Sequence, residues 1–114
     1  DIAQKVGTNL VESIQSKNCL AGMAHGYSGM AVAMALLGRY TGEGNYKEIV
    51  LELCRKEDQL FDCSMNNWLD IREGREHPRN TVAWCHGSAG ILLARALIHK
   101  ISGLTMDQLL RIFH

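Results

Sequence analysis

Apolar residues recur along this chain at helical spacing. Ile2, Val6, Leu10 and Ile14 define a helix predicted over Ile2–Ser16. A second helix is predicted from about Ser28 to Tyr40 and is stopped by Thr41-Gly42. A third runs from about Tyr46 to Cys63, with Ile49, Val50, Leu53 and Leu60 on one side and charges on the other. A fourth runs from about Ser88 to Ile101 and is stopped by Ser102-Gly103. A fifth starts near Thr105, an N-cap with Asp107 in the first turn, and carries Met106, Leu109, Leu110 and Phe113. Sustained β-branched alternation is missing, so strands are not expected. The stretch from Ser64 to Ala83, with Asn66, Asn67, Gly74, Pro78 and Asn80, reads as a long connection, and such connections are often functional.

The helices are of two kinds. The first, third and fifth are amphipathic. The second and fourth, with MAVAMALL and ILLARALI, are apolar on nearly every face and are expected to be buried all round. Alanines 31, 33, 35, 94 and 96 let such helices approach closely. Alternation of outer and inner helices predicts an all-α fold of about five helices, part of a double-layered α/α toroid.

The two apolar helices also open alike. HGYSGMAVAMALLGRYTG begins at His25 and HGSAGILLARALIHKISG begins at His86. Repetition of a turn and buried helix marks a repeat architecture. The glycines permit close approach, and free N–H groups at a helix start favour an anion or oxyanion and lower the pKa of a nearby thiol or His. The copies differ just before the His, where Ala24 in the first is matched by Cys85 in the second. Cys85 and perhaps His86 are local metal donors that do not complete a tetrahedral zinc site. On chemistry alone, Cys85 reads more readily as a buried structural thiol.

Composition narrows the field. The chain has 114 residues, enough for one small core, and is 46% hydrophobic. Lys+Arg and Asp+Glu number 12 each, so nothing steers it toward nucleic acid or an anionic membrane. The longest apolar run, Met30–Leu37, is too short to span a bilayer. Cys19, Cys54, Cys63 and Cys85 lack CxxC regularity and follow no signal peptide, which predicts reduced thiols and a cytoplasmic protein. The start at Asp1 and the finish at His114 inside a predicted helix read as a piece of a larger protein.

GMAHGYSGMA at 22–31 and AWCHGSAGI at 83–91, with NWLDIR at 67–72 between them, resemble the lanthionine synthetase C-like family. The likeness is greatest to the C-terminal cyclase domain of class II, LanM-type lanthipeptide synthetases, and spans most of residues 1–114. It implies an α/α toroid and a zinc-dependent cyclase in lantibiotic biosynthesis. In such enzymes a precursor-peptide Cys thiolate adds to dehydroalanine or dehydrobutyrine, closing a thioether ring. The resemblance makes His25 the acid/base residue and Cys85 a zinc ligand. His86 is a ligand only if Cys85-His86-Gly87 is the family's third motif; Trp84 and NWLDIR favour the second. Arg79 is the nearest counterpart of an Arg that precedes the WC motif in the family.

Departures from the family pattern bear on activity. No adjacent Cys-His pair follows Cys85, and no catalytic Asp precedes the first motif. The chain therefore reads as a fragment with an incomplete Zn2+ site, inactive alone. The implied partner is a lanthipeptide precursor peptide. A partial toroid leaves inner-helix surface uncovered, so self-association through the second and fourth helices is expected. One rival is a non-catalytic helical domain of this family that binds a peptide or partner protein. Another is a carbohydrate-active toroid enzyme, which needs paired carboxylates where only Asp70 and Glu73 are at hand.

Overall fold

The computed structural model describes residues 2–16, 19–24, 26–42, 45–71, 85 and 87–111. In chain order these form α1 (Ile2–Ser16), α2 (Tyr27–Thr41), α3 (Asn45–Asp58), β1 (Phe61–Asp62), β2 (Asn67–Trp68), α4 (Ser88–Ser102) and α5 (Met106–Leu109). Among the described residues the fold is all-α apart from one small hairpin. α2 is the central element. It packs mainly on α3 and α4, while α1 touches α2, and α5 touches α4 and α3.

Matched signals end the two long apolar helices. Gly42 follows α2 in the left-handed region at φ 74°, and its N–H donates to the Gly38 carbonyl at 2.9 Å. Gly103 follows α4 at φ 77°, and its N–H donates to the His99 carbonyl at 3.1 Å. In each last turn a hydroxyl donates back to a carbonyl: Thr41 to Leu37 at 2.9 Å and Ser102 to Ile98 at 2.6 Å. The main core gathers Ala31 and Met34 of α2, Val50 and Leu53 of α3, Ile98 of α4 and Leu109 of α5. Burying each of the larger side chains is worth about 1.5–3 kcal/mol. Gly38 is needed for contact, because a β-carbon there would lie 2.8 Å from Tyr46 Cβ on α3.

The structure corrects four expectations. α3 stops at Asp58 rather than Cys63. Past it, the Leu60 N–H donates to the Glu57 carbonyl at 2.9 Å in a tighter turn. Leu60 packs against the core from that turn, so the apolar spacing outlasts the helix.

A hairpin then stands where no strand was expected. Phe61 pairs with Trp68 and Asp62 with Asn67, antiparallel. The Phe61 and Trp68 rings meet edge to face, centroids 5.0 Å apart. Its loop is built on Asp62, whose Oδ1 accepts from the Ser64 N–H at 2.8 Å, the Ser64 hydroxyl at 2.5 Å and the Met65 N–H at 3.3 Å. Those bonds, the Ser64 hydroxyl foremost, hold the Asp62 carboxyl below its ordinary value. Asn66 closes the loop at φ 53°, a conformation Asn tolerates. A strand pair this short carries no periodic signal.

α1 turns a different face inward. Ile2 and Val6 are exposed, and Leu10 and Val11 pack on the core with the buried Gly7 beside them. Strict i+4 spacing drifts by about 40° per step around a 3.6-residue helix, so Ile2 is carried off the packed side. A β-carbon on Gly7 would collide with the Leu37 side chain of α2.

The apolar helices are not buried all round. Leu36 and Tyr40 of α2, and Leu92, Leu93 and Leu97 of α4, stay exposed. α2 has described neighbours on several sides; among the described residues α4 packs mainly on α2 and α5 and leaves the Leu92, Leu93 and Leu97 face exposed. Among the described residues no helix is long and apolar enough to cross a membrane. α5 is brief, with Thr105 and Gln108 forming a reciprocal capping box and Leu110 ending the helix; Phe113 lies outside the described residues.

Candidate functional site

The segment 19–24 folds back over the start of α2. Leu20 and Gly26 form a parallel bridge, and the Tyr27 N–H donates to the Leu20 carbonyl at 2.8 Å. The Cys19 N–H donates to the Tyr27 hydroxyl at 3.1 Å, so one buried tyrosine pins the segment from both sides. Both motif glycines serve this close approach. A β-carbon on Gly26 would collide with the Leu20 carbonyl oxygen, and one on Gly29 with the Met23 carbonyl oxygen. That accounts physically for the Gly-x-x-Gly spacing of the first copy.

The start of α2 is not a vacant anion site. The Gly29 N–H donates to the Gly22 carbonyl at 3.4 Å. The Ser28 N–H donates to Glu57 Oε2 at 2.9 Å. With Tyr27 held by Leu20, three successive amides of the first turn are already partnered. The expected anion is present, and it is a carboxylate of this chain, fully buried Glu57 of α3.

Glu57 is one member of a buried polar cluster that joins four helices and the hairpin. Its Oε2 also accepts from the Gly22 N–H at 3.0 Å. Its Oε1 accepts from the Ser28 hydroxyl at 2.6 Å and from Arg95 Nη2 at 2.9 Å. Arg95, on α4, is wholly buried and also donates to Asp58 Oδ1 at 3.0 Å, to the Cys54 carbonyl at 3.3 Å and to the Leu109 carbonyl. Trp68 Nε1 of β2 donates to Asp58 Oδ1 at 3.1 Å. Burial works against the Arg95 charge, but Cys54, Asp58 and Glu57 outweigh it and hold the guanidinium above its ordinary value. Burial pushes the adjacent Cys54 thiol up to about 12; Arg95 opposes that rise, while Glu57 and Asp58 add to it.

The second motif turn meets the first. The Ala24 N–H donates to the Cys85 carbonyl at a long 3.5 Å. These are the two residues that precede His25 and His86 in their copies, so the position where the copies differ is where they touch. Cys85 is half-buried. Gly87 begins α4 at φ 106° and ψ −169°, a region essentially reserved for glycine. A recess of about 410 Å³ opens beside the first turn, lined by Cys19, Met23, Ala24, Gly26 and Met30 among others.

His25, His86 and Arg79 lie outside the described residues, as do Glu73 and Trp84. Asp70 is buried. No disulfide joins any two of the four cysteines. Glu57, Asp58, Arg95 and Ser28 were not among the sequence candidates, although two signals pointed to them. Arg95 is the lone charge inside ILLARALI, and Glu57 follows Leu53 and Cys54 on the apolar side of α3.

A family model described as lanthionine synthetase C-like protein matches residues 1–113. The chain belongs to the lanthionine synthetase C-like family. No curated protein matches it. Within this family member, Cys85 fits the role of a soft metal donor, being a half-buried thiol at the junction of two turns. The described residues do not complete a zinc site: no three His, Cys, Asp or Glu side chains among them group closely enough to hold a metal ion.

Proposed function

We propose that this chain is part of a zinc-dependent lanthionine cyclase of the class II, LanM type, working on a lanthipeptide precursor peptide in a bacterial cytoplasm. The observation that carries this reading is the family match over residues 1–113. The abutment of the two motif turns through Ala24 and Cys85 supports it, because the reaction needs an acid/base group and a metal-held thiolate near one another. When bound, zinc would deprotonate a peptide Cys thiol at neutral pH. In this proposal the thiolate sulfur bonds to the β-carbon of dehydroalanine or dehydrobutyrine, the resulting enolate takes a proton at its α-carbon, and a thioether ring results. His25 would hold that proton. Cys85 would be one ligand, His86 a second only if its motif is the metal-binding Cys-His pair, and Arg79 would contact substrate. The helix layering fits a sector of an α/α toroid, with α2 and α4 inner and α1, α3 and α5 outer. The remaining ligands and a catalytic Asp would then come from the rest of the protein.

The test is made on the full-length protein. Metal analysis and mass spectrometry of ring formation should show zinc and thioether product for the wild type, and loss of both for Cys85→Ala. A wild type without zinc that forms rings regardless of Cys85 contradicts the reading.

A second reading rests on the row of exposed leucines on α4, Leu92, Leu93 and Leu97. In a non-catalytic helical domain that row would receive a peptide or a partner protein. In the toroid it meets the next inner helix, and a second copy covers it in the isolated chain.

A further inference from the structure

Glu57 lies at the end of an amphipathic helix, where an apolar side chain would fill the same space. The chain instead buries a carboxylate there, which is costly unless every lone pair finds a donor. It finds four: the Gly22 N–H, the Ser28 N–H, the Ser28 hydroxyl and the Arg95 guanidinium, all between 2.6 and 3.0 Å. Three of these donors bracket the first motif turn, at residues 22 and 28. The fourth comes from α4, the helix that the second motif turn opens. Arg95 cannot swing away, because its Nη2 is shared with the Cys54 carbonyl and Asp58 Oδ1, and its Nη1 donates to the Leu109 carbonyl and to Asp58 Oδ2. Asp58 is held in turn by Trp68 Nε1. The bonds are directional and sit on both flanks of the turn, so they set its placement as well as its stability.

We infer that Glu57 is a positioning residue of the cyclase site. Its carboxylate holds Gly22 and Ser28, which flank the first motif's His in sequence, and through Arg95 ties them to α4, the helix that Cys85 and His86 precede in sequence. The inference rests on the cyclase reading. Glu57 touches no reacting atom; it acts through Gly22 and Ser28. Ring closure depends on two groups held at a set distance, so loosening one of the two turns slows the chemical step while peptide binding elsewhere is kept.

The experiment uses the full-length protein with its dehydrated linear precursor peptide and compares wild type, Glu57→Gln and Ser28→Ala. Rates are normalised to folded, zinc-loaded enzyme, measured by thermal melting and metal content. Ser28→Ala removes a single donor and should lower kcat about 10-fold with KM and zinc content unchanged. Glu57→Gln places an amide against N–H donors and should lower kcat further. Normalised kcat equal to wild type in Ser28→Ala overturns the inference, and that variant decides alone if Glu57→Gln does not fold. A wild type that forms no rings overturns the cyclase reading itself, and the positioning role with it. An active wild type with fully active variants overturns the positioning role only.

Discussion

Gly26 and Gly87 hold the same place in the two copies of the motif, and the chain needs them for different reasons. Gly26 is ordinary extended backbone at φ −133°, crowded by the Leu20 carbonyl. Gly87 adopts a φ of 106° that side chains rarely reach. Further along, Met34 in the first copy is matched by Arg95 in the second. Both are buried, but Met34 fills the apolar core while Arg95 organises a polar cluster. Ser28, which donates to Glu57, is matched by Ala89, which has no hydroxyl to give. The endings, by contrast, are the same in kind, with Gly42 and Gly103 both left-handed. What the copies share builds and terminates a helix. Where they differ, they wire the two helix starts together.

The strongest way to break this contrast is to write the first copy into the second. Arg95→Met should destabilise the protein by about 3–5 kcal/mol, because Glu57 and Asp58 lose their buried cation. Urea denaturation measures it, and adding Glu57→Gln and Asp58→Asn should recover part of the loss. Loss of less than about 1 kcal/mol would mean that the cluster is not what joins the helices.

The glycines sharpen the contrast next. Gly26→Ala should cost about 1–3 kcal/mol by overpacking against backbone. Gly87→Ala should cost about the same through φ strain. Substitution by D-Ala using semisynthesis separates the two causes, since a D-residue accepts positive φ. It should be tolerated at Gly87 and should not rescue Gly26.

A pH titration reads the cluster from its apolar neighbour. The Cys54 thiol stands at about 12 in the folded protein against 9.0 for the free group. A raised acid favours the protonated folded form, so its stabilisation is complete below pH 9 and is lost as pH climbs toward 12. Wild-type stability should fall up to about 1.4 kcal/mol per pH unit more steeply than that of Cys54→Ala across this range. Parallel curves would place the thiol in contact with water.

Much of the fold was legible from periodicity and stop signals. α2 and α4 ended where Thr41-Gly42 and Ser102-Gly103 said they would, because a left-handed glycine is a local requirement. The end of α3 was not legible, since Leu60 kept the apolar rhythm going after the backbone had turned. The i+4 row in α1 misled for a geometric reason, the drift away from 3.6. At the candidate site, the motif letters predicted a helix start hungry for an anion. They did not say that Glu57, distant in sequence, supplies it. Tertiary pairing of that kind leaves only a faint mark, a charge in an apolar row, as at Arg95.

The smallest expected effect concerns the bare face of α4. Leu93→Glu should leave stability within about 0.5 kcal/mol and abolish self-association of the isolated chain in light scattering. Persistent dimers would move the contact elsewhere.

We propose that Cys85 and the turn it abuts belong to a metal-dependent ring-forming site. The direct measurement is zinc content together with thioether formation by the full-length protein, for wild type and Cys85→Ala side by side. A Cys85 zinc ligand gives bound zinc and rings in the wild type and neither in the variant. Rings formed equally well by both would contradict it.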